Sequence, residues 1–173
     1  MIIACLIGGY IFLHIVGASN VTIDETKDYP ISYVVDGDTF KAMVDGKEIT
    51  VRMLGIDTPE TVDPRKPVQC YGPEASTETK GLLTGHSVRL SLNPDREVKD
   101  MYGRYLAYVY RDDGMFVNEY LLENGFAREY TYTKSKPYSF QAEFREKEAG
   151  AQKEKKGLWG KCGEGDPKNV YSL

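Results

Sequence analysis

The chain has 173 residues, 28% of them charged and 41% hydrophobic, with a formal net charge of −4. That length suits one domain with a sizeable core, and the composition is that of an ordinary soluble globular protein. The acidic balance excludes broad, unspecific attraction to nucleic acid or acidic membranes, while a local basic site stays open. Only two histidines occur, one of them (His14) in the apolar N-terminus, so several histidine ligands or a Ser-His-Asp triad are excluded.

The chain opens with MIIACLIGGYIFLHIVGA, residues 1–18, which carry no charged side chain. The segment fits a secretory signal peptide, with Val16-Gly17-Ala18 as the small-residue cleavage pattern, although a positive n-region is missing. An uncleaved membrane anchor is the alternative, and IIAC ending at Cys5 also resembles a lipoprotein box with no apolar run before it. Each reading directs the remainder to an extracytoplasmic space, secreted or held at a membrane by this segment. Residues 19–30 read as a polar connector, residues 31–162 as the folded domain and residues 163–173 as a tail.

From Ile31 to Ile56, β-branched and aromatic residues are interrupted by Asp45-Gly46, a hairpin signal. YGPEASTETKGLLTGH reads as a helix with Pro73 in its first turn. SVRLSLN and RYLAYVYR are two further strands, the second alternating Tyr105, Ala107 and Val109 against Leu106, Tyr108 and Tyr110. MFVNEYLLENG predicts a helix ended by Gly125, and a last helix runs from about Ser139 to Lys156, stopping at Gly157. This order predicts an α+β domain, a small closed or partly open barrel with helices packed outside. The Lys/Glu-rich run from Glu143 to Lys156 reads as a solvated helix face.

Chemistry concentrates in two stretches. Asp36-Gly37-Asp38-Thr39 alone reads as a tight turn, and Asp57-Thr58-Pro59-Glu60 alone as a capped strand end. Together, Asp38, Asp57 and Glu60 supply oxygen ligands of the kind that Ca²⁺ accepts. Arg52 and Arg104 supply two planar forks suited to phosphate oxygens. Phosphodiester cleavage asks for both, since negative charge must be neutralised while water is activated for in-line attack. Strict strand alternation puts Arg52 and Asp57, five residues apart, on opposite faces. Both can serve one site only if the strand bends or bulges between them, and Gly55 is the place for it.

VVDGDTFK, VRMLGIDTPET, YGPEAS, DMYGRYLAYVY, VNEYLLENGFA and KEKKGLW occur here in one order. They carry a resemblance to the staphylococcal nuclease family over about Ile31 to Trp159. The resemblance implies a five-stranded OB-fold β-barrel with three α-helices that hydrolyses DNA and RNA with Ca²⁺ and yields 3′-phosphate products. It implies that Asp38, Asp57 and the Thr58 carbonyl ligate Ca²⁺, that Glu60 acts as general base, and that Arg52 and Arg104 hold the scissile phosphate. Tyr102 and Tyr130 match tyrosines around the bound nucleotide, and Asp36 matches an acidic residue in a supporting role. A monomer without an obligate protein partner is expected.

Departures are visible too. Met101 stands where the family has a lysine, and Cys70 and Cys162 have no counterpart in the cysteine-free family enzyme. Without Cys5, lost with the leader, these two remain as a pair. In the family fold Cys70 directly precedes the first helix and Cys162 follows the last, so a disulfide is the expectation. Two unrelated thiols are the alternative. A non-catalytic nucleic-acid or protein-binding barrel would have lost some of Asp38, Asp57, Glu60, Arg52 and Arg104, and none is lost. A Ca²⁺-dependent adhesion module would leave both arginines without a task.

Overall fold

An alternation of buried and solvated residues builds the sheet. The computed structural model describes residues 21–65, 67–95, 97–132 and 137–163; the apolar leader and the tail beyond Gly163 lie outside them. Strand β1 (Asp28–Val34) pairs antiparallel with β2 (Thr39–Val44), which pairs with β3 (Lys47–Met53) in a register running from Thr39↔Arg52 to Val44↔Lys47. Phe40, Ala42 and Val44 on β2 and Ile49, Val51 and Met53 on β3 are all buried. Asp45 and Gly46 join the two strands with φ of 47° and 77°, the positive pair that a type I′ turn requires.

After β3 come a two-residue strand β4 (Ile56–Asp57), helix α1 (Gly72–Leu83) and strand β5 (Ser87–Ser91). Strand β6 (Tyr105–Arg111) pairs antiparallel with β5 and parallel with β3, and β5 pairs with β1, so the barrel closes in the order β1-β2-β3-β6-β5. A parallel pair cannot be joined by a hairpin, which is why α1 and β5 lie in the crossover between β3 and β6. Helix α2 (Val117–Glu123), strand β7 (Arg128–Glu129), helix α3 (Gln141–Lys153) and a one-turn helix α4 (Leu158–Lys161) complete the order, with β7 paired to β4. The fold is the expected α+β one, a closed five-stranded barrel with three main helices.

Three details differ from expectation. Strand β1 begins at Asp28 rather than Ile31, and residues read as connector pack inward: Tyr29 and Ile23 are buried, and the Val21 carbonyl accepts the Tyr105 hydroxyl at 2.8 Å. The last helix ends at Lys153, short of Lys156, and α4 follows. The break turns Leu158 into the core, where its N–H donates to the Gly125 carbonyl at 2.9 Å; a helix continued to Gly157 could not make that reversal. Along β6 the alternation fails at Tyr108, which is buried because Phe116, Phe140 and Phe144 cover the outer face, with ring centroids 6.2, 4.8 and 6.3 Å away. The solvated face expected of Glu143 to Lys156 is present on α3, whose buried residues are Phe144 and Ala151.

Cys70, two residues before α1, and Cys162, the residue after α4, are joined by a disulfide with Cα atoms 5.9 Å apart. In the chain-entropy model a bridge over 92 residues contributes on the order of 4 kcal/mol.

Between β3 and β4 the chain bends at Gly55, with φ of +75°. Its carbonyl accepts the Tyr130 N–H at 2.9 Å and the Tyr138 hydroxyl at 3.1 Å, so the bend is fastened to the segment before α3. A Cβ at Gly55 would stand 2.7 Å from the Tyr138 ring and 2.8 Å from the Phe144 ring. Gly114 has a similar φ of +90° and open space around it. Gly114→Ala should therefore cost only the backbone penalty, about 1 kcal/mol, whereas Gly55→Ala should cost several times more. Equal losses in urea unfolding would show that the Gly55 site is not sterically closed.

Candidate active site

The site grows from the two acidic stretches. The Thr79 hydroxyl, buried in α1, donates to the Gly37 carbonyl at 2.7 Å and fixes the loop between β1 and β2. A Cβ at Gly37 would meet Thr58 Oγ1 at 2.6 Å, so the glycine is what lets this loop approach the end of β4. Across that approach Asp38 Oδ2 accepts the Thr58 N–H at 2.8 Å and the Thr58 hydroxyl at 3.1 Å, and Oδ1 accepts the Thr39 hydroxyl at 3.0 Å.

Arg52 and Asp57 meet despite their spacing, because the Gly55 bend brings the odd-numbered position back. Arg52 Nη2 donates to Asp57 Oδ1 at 2.6 Å, while Nη1 reaches Asp38 Oδ2 at 3.0 Å. Nη1 also donates to the carbonyls of Met53 at 3.2 Å and Ile56 at 2.9 Å. The side chains of Arg52, Asp38 and Asp57 are 13%, 6% and 23% exposed, so one guanidinium serves two carboxylates away from bulk water. The trio is net negative. Asp36, whose Oδ1 accepts the Asp38 N–H at 3.1 Å, registers this: burial and the Asp38 charge push its carboxyl up to about 7.

Glu60 follows on an irregular loop. Its Oε1 accepts the backbone N–H groups of Thr61, Val62 and Asp63 at 2.9, 2.7 and 3.0 Å, and Oε2 accepts no hydrogen bond among the described residues. Glu60 lines an open cleft of about 540 Å³ together with Asp36, Thr39, Lys41, Arg65 and Arg104. Arg104 is held from one side only. Asp100 Oδ2 accepts its Nε at 2.6 Å, Asp100 Oδ1 accepts its backbone N–H at 2.9 Å, and its two terminal nitrogens make no hydrogen bond among the described residues.

Tyr102 is exposed beside Arg104, with the guanidinium 5.4 Å from the ring centroid, and Met101 next to it is exposed as well. Tyr130 lies elsewhere, in a second hollow of about 330 Å³ with Asp57, Arg128 and Trp159. The fold thus gathers Glu60 and Arg104 at one cleft and joins Asp38, Arg52, Asp57 and Thr58 in one hydrogen-bonded group, of which Asp57 lines the second hollow. Tyr130 lines the second hollow, and Tyr102 lines neither of these two. Sequence reasoning did not single out Asp100, Lys41, Arg65 or Gln69. The four-residue spacing of Asp100 and Arg104 was the available signal for the first; nothing local marks the others.

A fork with two open nitrogens binds phosphate oxygens, and a carboxylate in the same cleft can take a proton from water. The class so defined is a phosphodiester hydrolase. Residues 50–161 match the family model described as staphylococcal nuclease homologue. The chain is 47% identical over 131 residues to a thermonuclease of Staphylococcus hyicus, covering 76% of this chain and 75% of that one. It is 46% identical over 133 residues to a thermonuclease of Staphylococcus intermedius, with 77% and 76% covered. Endonuclease YncB of Bacillus subtilis (strain 168) is 42% identical over 146 residues, 83% of this chain and 63% of that protein. The chain belongs to the staphylococcal nuclease family and is a nuclease.

Arg52→Lys tests the fork. A single ammonium cannot bridge two carboxylates and two carbonyls, so both stability in urea and turnover should fall, turnover by about 10²-fold. A folded variant with near-normal turnover would confine Arg52 to a structural part.

Proposed function

We propose that the protein is a Ca²⁺-dependent phosphodiesterase that hydrolyses both DNA and RNA and leaves 3′-phosphate ends. The observation that carries the metal is the shared guanidinium: one buried carboxylate (Asp38) and one partly buried one (Asp57) on a single arginine leave negative charge that favours a cation. Among the described residues no group of three or more His, Cys, Asp or Glu side chains is disposed to hold a metal, so protein side chains alone do not make a cage. Asp38, Asp57 and the Thr58 carbonyl form an all-oxygen set, which suits Ca²⁺, a hard ion tolerant of loose geometry and of water among its ligands. Bound there, the ion would supply positive charge against the negative charge that develops on the phosphate.

The chain's own residues do the rest. The two terminal nitrogens of Arg104 grip non-bridging oxygens of the scissile phosphate, and Arg52 adds charge from its place between Asp38 and Asp57. Glu60 uses Oε2, its open oxygen, to accept a proton from the attacking water. A P–O bond forms to that water as the bond to the 5′-oxygen breaks in line with it. The 5′-oxygen leaves as an alkoxide that takes a proton from solvent water, Glu60 keeps the proton of the attacking water, and the phosphate stays on the 3′-side. Tyr102, exposed beside Arg104, offers a ring to the neighbouring base.

Residues 1–18 would deliver the domain out of the cytoplasm, as a cleaved signal or an anchor; among the described residues no helix is long and apolar enough to cross a membrane. The domain acts as a monomer without an obligate protein partner.

Incubation with single-stranded DNA and with RNA, in Ca²⁺ or in chelator, decides the reading. Both substrates should be cut in Ca²⁺, and chelator should abolish cutting in both. Full activity in chelator removes the metal from the mechanism.

A further inference from the structure

Glu60 sits on a loop without regular structure, so its direction depends on whatever holds that loop. Gln69, nine positions on and only 6% exposed, is that holder. Its Oε1 accepts the Glu60 N–H at 2.7 Å, and its own N–H donates to the Glu60 carbonyl at 2.9 Å. One residue therefore claims both backbone polar groups of Glu60. The clasp is itself anchored on two sides. The Gln69 carbonyl accepts the Gly72 N–H at 3.1 Å at the start of α1, and the next residue, Cys70, is bonded to Cys162 after α4.

We propose that Gln69 is a positioning residue for the nuclease reaction, its amide oxygen and backbone N–H holding the Glu60 main chain so that the carboxylate stays at the cleft. This rests on the reading of Glu60 as the general base. With the main chain clasped and Oε1 taken by the amides of residues 61–63, the position of Oε2 is determined from both ends of the side chain. Only an acceptor at the tip of residue 69 can meet the Glu60 N–H. Glutamate keeps that acceptor and alanine removes it. A displaced base costs rate rather than affinity, because the phosphate is gripped by the arginines and not by Glu60.

The test is a cycle on the whole Ca²⁺-loaded protein, with single-stranded DNA as substrate. Gln69→Ala should lower kcat about tenfold with KM unchanged, and Gln69→Glu should recover most of the loss. Glu60→Gln should lower kcat by about 10². In that background Gln69→Ala should cost less than twofold, since no base is left to position. Thermal melting of every variant keeps loss of fold apart from loss of rate. If Gln69→Ala costs the same factor in both backgrounds, or Gln69→Glu is as slow as Gln69→Ala, Gln69 is structural and the proposal falls while the base reading stands. Wild-type turnover in Glu60→Gln overturns the base reading and the positioning role with it.

Discussion

One guanidinium sets the geometry of this protein's working end. Arg52 leaves β3 and binds four oxygens at once: carboxylates of Asp38 and Asp57, carbonyls of Met53 and Ile56. Charges this far from water persist only when each is met by several partners, because desolvation otherwise exceeds the attraction. The bend at Gly55 is the backbone's answer to that demand. It turns a five-residue separation, which a straight strand would send to opposite faces, into a contact of 2.6 Å. The ion pairs and the bend specify one another, and removing either leaves buried carboxylates or a strained turn without a purpose.

The remainder of the fold keeps that end rigid. Fully buried Asn118 on α2 accepts the Val109 N–H at 2.9 Å and donates to the Leu54 carbonyl at 2.8 Å, tying the barrel wall to the residue before the bend. Tyr138 fastens the bend itself, and Thr79 on α1 fastens the opposite loop at Gly37. Each tie is a buried polar group with its partner in place, so the site is held by hydrogen bonds that water does not compete for. Catalytic geometry here is borrowed from packing on three sides.

How much of this could be read from the chain follows the range of the cause. Asp45-Gly46 announces a turn through the φ values it tolerates, and the alternation of Phe40 to Met53 announces buried faces, because both causes act within a few residues. The joint inventory of carboxylates and arginines marked the candidate site, and the conflict between Arg52 and Asp57 located the bend. Tyr108 broke its pattern because Phe116, next to α2, and Phe140 and Phe144, at α3 and distant in sequence, cover it. The end of α3 was misplaced because the pull on Leu158 comes from Gly125, more than 30 residues earlier. Gln69 was silent for the same reason: a clasp nine residues away leaves no periodic trace.

The disulfide divides the chain into an open arm and a covalent ring. Cys70 and Cys162 close a ring that contains Arg104, whereas Asp38, Arg52, Asp57 and Glu60 all lie on the arm before it. A protease that severs any one peptide bond inside the ring releases nothing; Arg104 remains tethered to the acidic half of the candidate site. The exposed turn around Met101 and Tyr102 lies within the ring and is the kind of place such a cut falls. A nuclease working among proteases would then survive as a nicked molecule whose two pieces separate only when the disulfide is reduced.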